Sequence, residues 1–103
     1  MGLFSKKNTS SEQRSGASDK LIIDVRTPSE YIEGHVTGSI NIPVHELRTK
    51  VKELDIEGKS IILYSGNGKR SEHASFILKS LGVDSKNAGG LNDLTSKLRS
   101  SNF

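Results

Sequence analysis

The feature that most constrains the fold of this chain is Ser60–Gly82, which has the pattern of a buried strand, a glycine-rich loop and a helix. The apolar run Ile61–Tyr64 predicts the strand. Turn-forming residues follow at 65–70, and apolar residues at helical spacing then predict a helix with Gly82 as its C-cap. A loop between a buried strand and a helix N-terminus directs backbone N–H groups outward, so this one is predicted to hold an anion.

Strands and helices alternate along the rest of the chain. The other predicted strands are Leu21–Val25, Ser39–Ile42 and Val83–Ala88, and the other predicted helices start at Pro28, Val44 and Leu91. Continuous apolar character in the first strand predicts burial on both faces. The alternation predicts an α/β fold, with a central, mostly parallel sheet and helices on both faces. Ligands of such sheets bind beyond the carboxyl ends of the strands, where the glycine-rich loop lies.

Two helix starts carry local signals. Thr27 is the predicted N-cap of the first helix, with Pro28 at its first position, Glu30 completing a capping box and Gly34 ending it. Ser71 is the predicted N-cap of the helix after the glycine-rich loop.

Composition and charge indicate which cofactors and partners to expect. The 103 residues include no cysteine, and two of the three net positive charges lie in residues 1–20. We therefore expect a disordered tail at 1–19, one domain at 20–103, no metal or other cofactor, and no nucleic-acid or membrane partner. The absence of a signal-peptide pattern or a long apolar run predicts a cytoplasmic protein.

Ser65 lies at the floor of the predicted anion-binding loop. Gly66 and Gly68 permit close backbone approach, and Arg70 offers a fork of donors suited to an oxyanion. The loop residues expected to bind the anion are Gly66, Asn67, Gly68, Lys69 and Ser71. A tight connection whose glycines serve geometry alone remains an alternative, because a single glycine-rich loop is a weak signal.

Three other motifs are excluded by the residues around the loop. The third glycine of a dinucleotide fingerprint is replaced by Ser71, and Arg70 interrupts a P-loop ending. A serine hydrolase needs a base beside Ser65, and the nearest histidine, His73, lies inside the following helix.

Four motifs in order resemble the single-domain rhodanese-like proteins, the small sulfurtransferases related to thiosulfate:cyanide sulfurtransferase. They are Leu21–Arg26 with Pro28, Glu30 and Tyr31; Gly34–Pro43; Tyr64–Ser71; and Asn87–Leu91. The match covers about residues 20 to 95, and it implies the three-layer fold of that family.

The resemblance also implies a mechanism. A cysteine at the floor of the loop takes sulfane sulfur from a small oxyanion such as thiosulfate, becomes a persulfide and passes the sulfur to a thiol or protein acceptor. The resemblance places Ser65 at the nucleophile position and Arg70 beside it. Four residues separate them, the length of the sulfur-transfer loops, whereas the related phosphatases have one more.

Ser65 stands where the family has cysteine, and a hydroxyl cannot form a persulfide. We therefore predict that this chain is inactive in persulfide-based transfer. The alternative is a non-catalytic rhodanese homology module that binds an oxyanion or a protein partner. A naturally occurring Ser65 and a replaced cysteine both fit the sequence.

Asp24 and Arg26 follow the first strand, near the predicted loop. They could orient the loop, but a structural ion pair at the first strand-to-helix turn is favoured, because buried carboxylates commonly serve structure. Tyr31 and His35 are expected to be packing and turn residues, and Asn41 is expected to bond backbone groups.

Overall fold

The computed structural model describes residues 19–100. Its elements are β1 (Lys20–Asp24), α1 (Pro28–Glu33), β2 (Ile40–Asn41), α2 (Val44–Lys50), a 3-10 helix (Val51–Glu53), β3 (Ser60–Ser65), α3 (Lys69–Ser80), β4 (Lys86–Gly90) and α4 (Leu91–Arg99). This order confirms the predicted alternation. The predicted tail lies outside the described residues except for Asp19, as does the predicted domain end at 101–103.

The four strands form one parallel sheet in the order β2-β1-β3-β4. Asp24 pairs with Tyr64 in the register of β1 and β3, and Ser65 pairs with Gly90 in that of β3 and β4. Because parallel strands end at the same edge, Asp24, Ser65 and Gly90 meet at one edge of the sheet.

Helices cover both faces of the sheet, and β3 contributes apolar side chains to each face. Ile61 and Leu63 pack with residues of α2 and α3 in one core cluster. Ile62 and Tyr64 pack with residues of α4 in a second cluster. Alternate residues of a strand point to opposite faces, so this run of four apolar residues serves two cores. The predicted three-layer α/β architecture is confirmed.

The capping box predicted for α1 is present. The Thr27 hydroxyl accepts the Glu30 N–H at 3.3 Å, and a Glu30 carboxylate oxygen accepts the Thr27 N–H at 3.0 Å. Pro28 is the first helical residue and Gly34 follows the last. These four residues were assigned correctly because every contact involved is local.

The prediction for the fourth strand was wrong in its start, since β4 begins at Lys86 rather than Val83. Gly82 adopts the left-handed region at a φ of +81°, the Gly82 N–H donates to Lys79 O, and the Val83 N–H donates to Leu78 O. These two bonds form a Schellman motif. Val83 therefore belongs to the turn that ends α3.

Within residues 19–100, no helix is both long and apolar enough to cross a bilayer. The same residues contain no group of three or more histidine, aspartate or glutamate side chains arranged to hold a metal ion.

Candidate anion-binding site

Ser65 is the last residue of β3 and is fully buried. Its Oγ accepts the Gly68 N–H at 3.0 Å and the Ser71 N–H at 3.2 Å. It also lies 3.1 Å from the Ser71 Oγ. The loop therefore folds around the side-chain oxygen of Ser65.

A chain of hydroxyl contacts fixes the direction of these hydrogen bonds. Ser71 Oγ lies within donating distance of three oxygens that can only accept, Asn87 Oδ1 at 2.7 Å, Gly68 O at 3.1 Å and Gly89 O at 3.5 Å, so its single proton is used by one of them. The Ser65 hydroxyl must then donate to Ser71 Oγ while it accepts two backbone N–H groups. A hydroxyl has one proton and two lone pairs, so the hydrogen-bonding capacity of Ser65 is filled by the protein.

The predicted role of Ser71 as an N-cap was wrong. Helix α3 begins at Lys69, after Gly68, and Ser71 is its third residue. Gly68 has a φ of +94°, and a Cβ there would lie 3.2 Å from the Gly89 backbone, so the tight turn that starts the helix early requires glycine. The capping contact comes from Asn67, whose Oδ1 accepts the Lys69 N–H at 3.0 Å.

Backbone donors at the loop remain available to a ligand. Among the hydrogen bonds of residues 19–100, none gives the N–H of Asn67 or Arg70 an acceptor in the protein. The Asn67 N–H lies in the loop and the Arg70 N–H in the first turn of α3. At this end of a helix the dipole favours negative charge. The side chain of Lys69 is exposed at the same point.

Arg70 is fixed by an ion pair that crosses the site. Its Nη1 and Nη2 donate to the two carboxylate oxygens of Glu30, at 2.8 and 3.0 Å. A Cβ on Gly66 would lie 3.2 Å from Arg70 Nη2, so the guanidinium lies over the loop. Glu30 was not predicted as a site residue. Its local capping box explained it fully, and no sequence signal indicates a bond to a residue forty positions away.

The ion pair perturbs both partners. The hydrogen bond from Arg70 lowers the pKa of Glu30 to about 2, helped by the Thr27 N–H. The hydrogen bond from Glu30 raises the pKa of Arg70 above its ordinary value. Both side chains therefore stay charged throughout the neutral and mildly acidic range.

We expect this pair to give a defined pH dependence of stability. The pKa of Glu30 falls from 4.5 to about 2 on folding, so its contribution is complete above about pH 5. This contribution is lost as the pH falls from 4.5, the pKa of Glu30 in the unfolded chain, to about 2, its pKa in the folded protein. The difference in unfolding free energy between wild type and Glu30→Gln should shrink over that window in urea titrations. Glu33→Gln, which removes an exposed carboxylate of the same helix outside this ion pair, is the matched control. An E30Q difference constant down to pH 2 would contradict the assignment.

Asp24 and Arg26 form the buried ion pair that the sequence favoured. Asp24 accepts the Arg26 N–H at 2.8 Å and the Arg26 Nη2 at 2.7 Å, with Nε also in contact. Arg26 Nη2 also donates to Gly34 O at 2.6 Å, and its guanidinium lies 5.8 Å from the Tyr64 ring centroid. The pair thus ties β1 to the end of α1. It lies close enough to Arg70 for Arg26 to lower, and Asp24 to raise, the pKa of that guanidinium.

Three further polar residues make contacts around the second strand. Tyr31 OH donates to Ser39 O at 2.6 Å, and the His35 ring stacks on Tyr31 with centroids 3.7 Å apart. Asn41 Nδ2 donates to the backbone oxygens of Asp24 and Arg26, each at 3.0 Å. Among the hydrogen bonds of residues 19–100, none joins Ser65 to a histidine or carboxylate that could serve as a base.

Gly90 permits the closest backbone approach at the site. A Cβ at this position would collide with the Gly66 carbonyl oxygen. The preceding residue, Gly89, has a φ of +91°. The paired glycines therefore let β4 and the start of α4 pack against the loop around Ser65.

The fold and the loop define a class of protein: a parallel α/β domain with a glycine-rich loop between β3 and α3. The model of the Rhodanese-like domain family matches residues 8–97. The chain therefore belongs to the rhodanese-like domain family, with serine at the position of its cysteine.

Similar proteins include named sulfurtransferases. The thiosulfate sulfurtransferase PspE of Escherichia coli strain K12 is 36% identical over 74 residues, which cover 70% of this chain and 71% of that protein. A solved rhodanese with anions from E. coli is 36% identical with a TM-score of 0.67, covering 72% of this chain and 89% of that one. The human single-domain sulfurtransferase TSTD1 shares the fold, at 23% identity and a TM-score of 0.66 over 79% of this chain and 85% of its own.

Proposed function

We propose that this chain is a rhodanese-family module that binds a small sulfur oxyanion such as thiosulfate at the loop of residues 65–71. Arg70, Lys69 and the backbone donors of the loop bind the anion. With serine at the nucleophile position, the chain does not transfer sulfur through a persulfide. A cytoplasmic location remains part of the proposal.

The observation that carries this proposal is the set of hydrogen bonds that the Ser65 hydroxyl makes within the protein. It donates to Ser71 and accepts the N–H groups of Gly68 and Ser71, so no lone pair is left for a substrate. A serine hydroxyl also needs an adjacent base to become a nucleophile. The geometry therefore favours Ser65 as the residue that holds the loop in shape while other donors meet the ligand.

The comparisons support the choice of ligand. Relatives named thiosulfate sulfurtransferase and a solved relative described with anions make a thiosulfate-like donor the best candidate. The short loop between Ser65 and Arg70 supports the same choice over a phosphate ester. We propose a thiol or protein sulfur acceptor only for a form of this chain that carries cysteine at position 65. A protein partner at the same loop is the alternative ligand.

Calorimetric titration of the wild-type protein with thiosulfate tests the proposal. We expect saturable binding, weakened about tenfold or more by Arg70→Ala, since a hydrogen bond between charged groups is worth roughly 1.5–3 kcal/mol. Arg48→Ala is the matched control, because Arg48 is exposed on α2 and has no part in the loop. Wild-type protein that binds no thiosulfate, or an R70A variant that binds it as tightly, would contradict the proposal.

The same preparation should show no thiosulfate:cyanide transfer. Sustained thiocyanate production by wild-type protein, free of contaminating enzyme, would show that Ser65 does not block the reaction.

A further inference from the structure

The charges around the loop cancel in pairs. Arg70 is paired with Glu30, and Arg26 is paired with Asp24. Glu30, Arg26 and Asp24 are also the charges that act on the pKa of Arg70. Lys69 is the remaining charge on the loop itself, so the loop and its two ion pairs together carry a net charge of one positive unit.

Glu30 leaves part of the Arg70 guanidinium free. A guanidinium has five N–H donors, and Glu30 uses one on each of Nη1 and Nη2. The other donors can meet a ligand over the loop without breaking the ion pair. A bound anion and the Glu30 carboxylate would then flank the same guanidinium, and the carboxylate would repel the anion in proportion to its charge.

We propose that Glu30 shifts the selectivity of the loop away from dianions and toward monoanions. This inference rests on the proposed anion-binding function and specifies how the loop discriminates between ligands by their charge. Thiosulfate, a dianion, still binds, but more weakly than it would to a loop without the carboxylate. Glu30 acts here through repulsion of the ligand as well as through its hold on Arg70.

The expected effect is large enough to measure. Two anions that flank one guanidinium lie roughly 6 Å apart, and an effective dielectric constant between about 20 and 80 applies near a protein surface. The second charge of a dianion then costs between about threefold and a hundredfold in affinity. Removing the Glu30 charge should raise the affinity for both kinds of anion, and for dianions by this additional factor.

Sulfate and perchlorate are suitable probes, because both are tetrahedral oxyanions and they differ in charge. Their dissociation constants are measured at one ionic strength for wild type, Glu30→Gln and Glu33→Gln. Glutamine is accepted in a capping box, so Glu30→Gln should preserve α1. We expect the preference for sulfate over perchlorate to rise about tenfold, and at least threefold, in E30Q alone. Any loss of Arg70 positioning weakens sulfate more than perchlorate, so it lowers the ratio and cannot produce the expected rise.

The outcomes separate the two proposals. An unchanged ratio in E30Q, with both anions still bound and Arg70→Ala still weakening them, overturns the charge selection and leaves the anion-binding function standing. An equal rise in E33Q would show general surface charge rather than the Arg70 contact, and would also overturn it. Failure of wild type and E30Q to bind either anion would overturn the anion-binding function and this inference with it.

Discussion

Ser65→Cys should gain thiosulfate:cyanide sulfur transfer, which we expect the wild-type chain to lack. The thiolate would attack the sulfane sulfur of thiosulfate, break its S–S bond and release sulfite, leaving a persulfide on residue 65. Cyanide would then remove that sulfur as thiocyanate. We expect a gain on the order of 10³-fold or more over wild type, because removal of a nucleophile costs rates of at least that size in other enzymes.

The existing loop provides what such a thiolate needs. The N–H groups of Gly68 and Ser71 already point at the side-chain atom of residue 65. A thiol with an ordinary pKa of about 8.5 becomes more acidic at a helix N-terminus and beside basic groups, and Arg70 supplies such a group. The wild-type hydroxyl makes the same contacts but is far less acidic, so the geometry alone does not make it reactive.

Ser75→Cys is the matched control for this gain. Ser75 lies on the same helix and bonds Ser85 rather than the loop, so it adds a thiol without placing it over the anion site. Mass spectrometry after thiosulfate treatment should find one extra sulfur atom on S65C and none on S75C. A folded S65C protein with neither the added sulfur nor thiocyanate production would refute the claim that the existing loop provides what a reactive thiolate needs.

Local sequence signals were sufficient for much of the fold. The Thr27 capping box was predicted within its own helical turn, and the apolar run before Ser65 identified the strand from which the loop starts. The loop was placed at the carboxyl edge of the sheet because connection rules for parallel strands are general. In each case the deciding interactions are near in sequence or follow from topology.

The contacts that the sequence did not predict depend on several distant residues at once. Glu30 reaches Arg70, and Ser71 reaches Asn87, only after β1, β3 and β4 have aligned. Ser71 was assigned as an N-cap because serine favours that position, but the left-handed turn at Gly68 starts the helix three residues earlier. The preference of serine for the N-cap position is overridden there by the backbone conformation of Gly68, which tertiary packing against Gly89 sets.

Asp24→Asn should destabilise the domain by about 3–5 kcal/mol, because removing one partner of a buried ion pair leaves the other charge uncompensated. The Asp24 side chain is fully buried, and Arg26 is 7% exposed. The amide would present an N–H₂ group to donors of Arg26 that now meet a carboxylate oxygen. Such a loss is a large part of the roughly 5–15 kcal/mol that stabilises a typical domain. Urea denaturation measures it directly.

A double-mutant cycle separates the charge from the packing at this turn. Arg26→Met should also be costly, because it leaves the buried Asp24 carboxylate without its guanidinium. The double variant should recover much of either loss, since it removes both charges. Glu33→Gln, at an exposed carboxylate, should change stability by no more than about 0.5 kcal/mol. A D24N cost below about 1 kcal/mol, or fully additive losses in the double variant, would mean that the pair does not hold the first turn, and its position near Arg70 would then favour a role in the anion site.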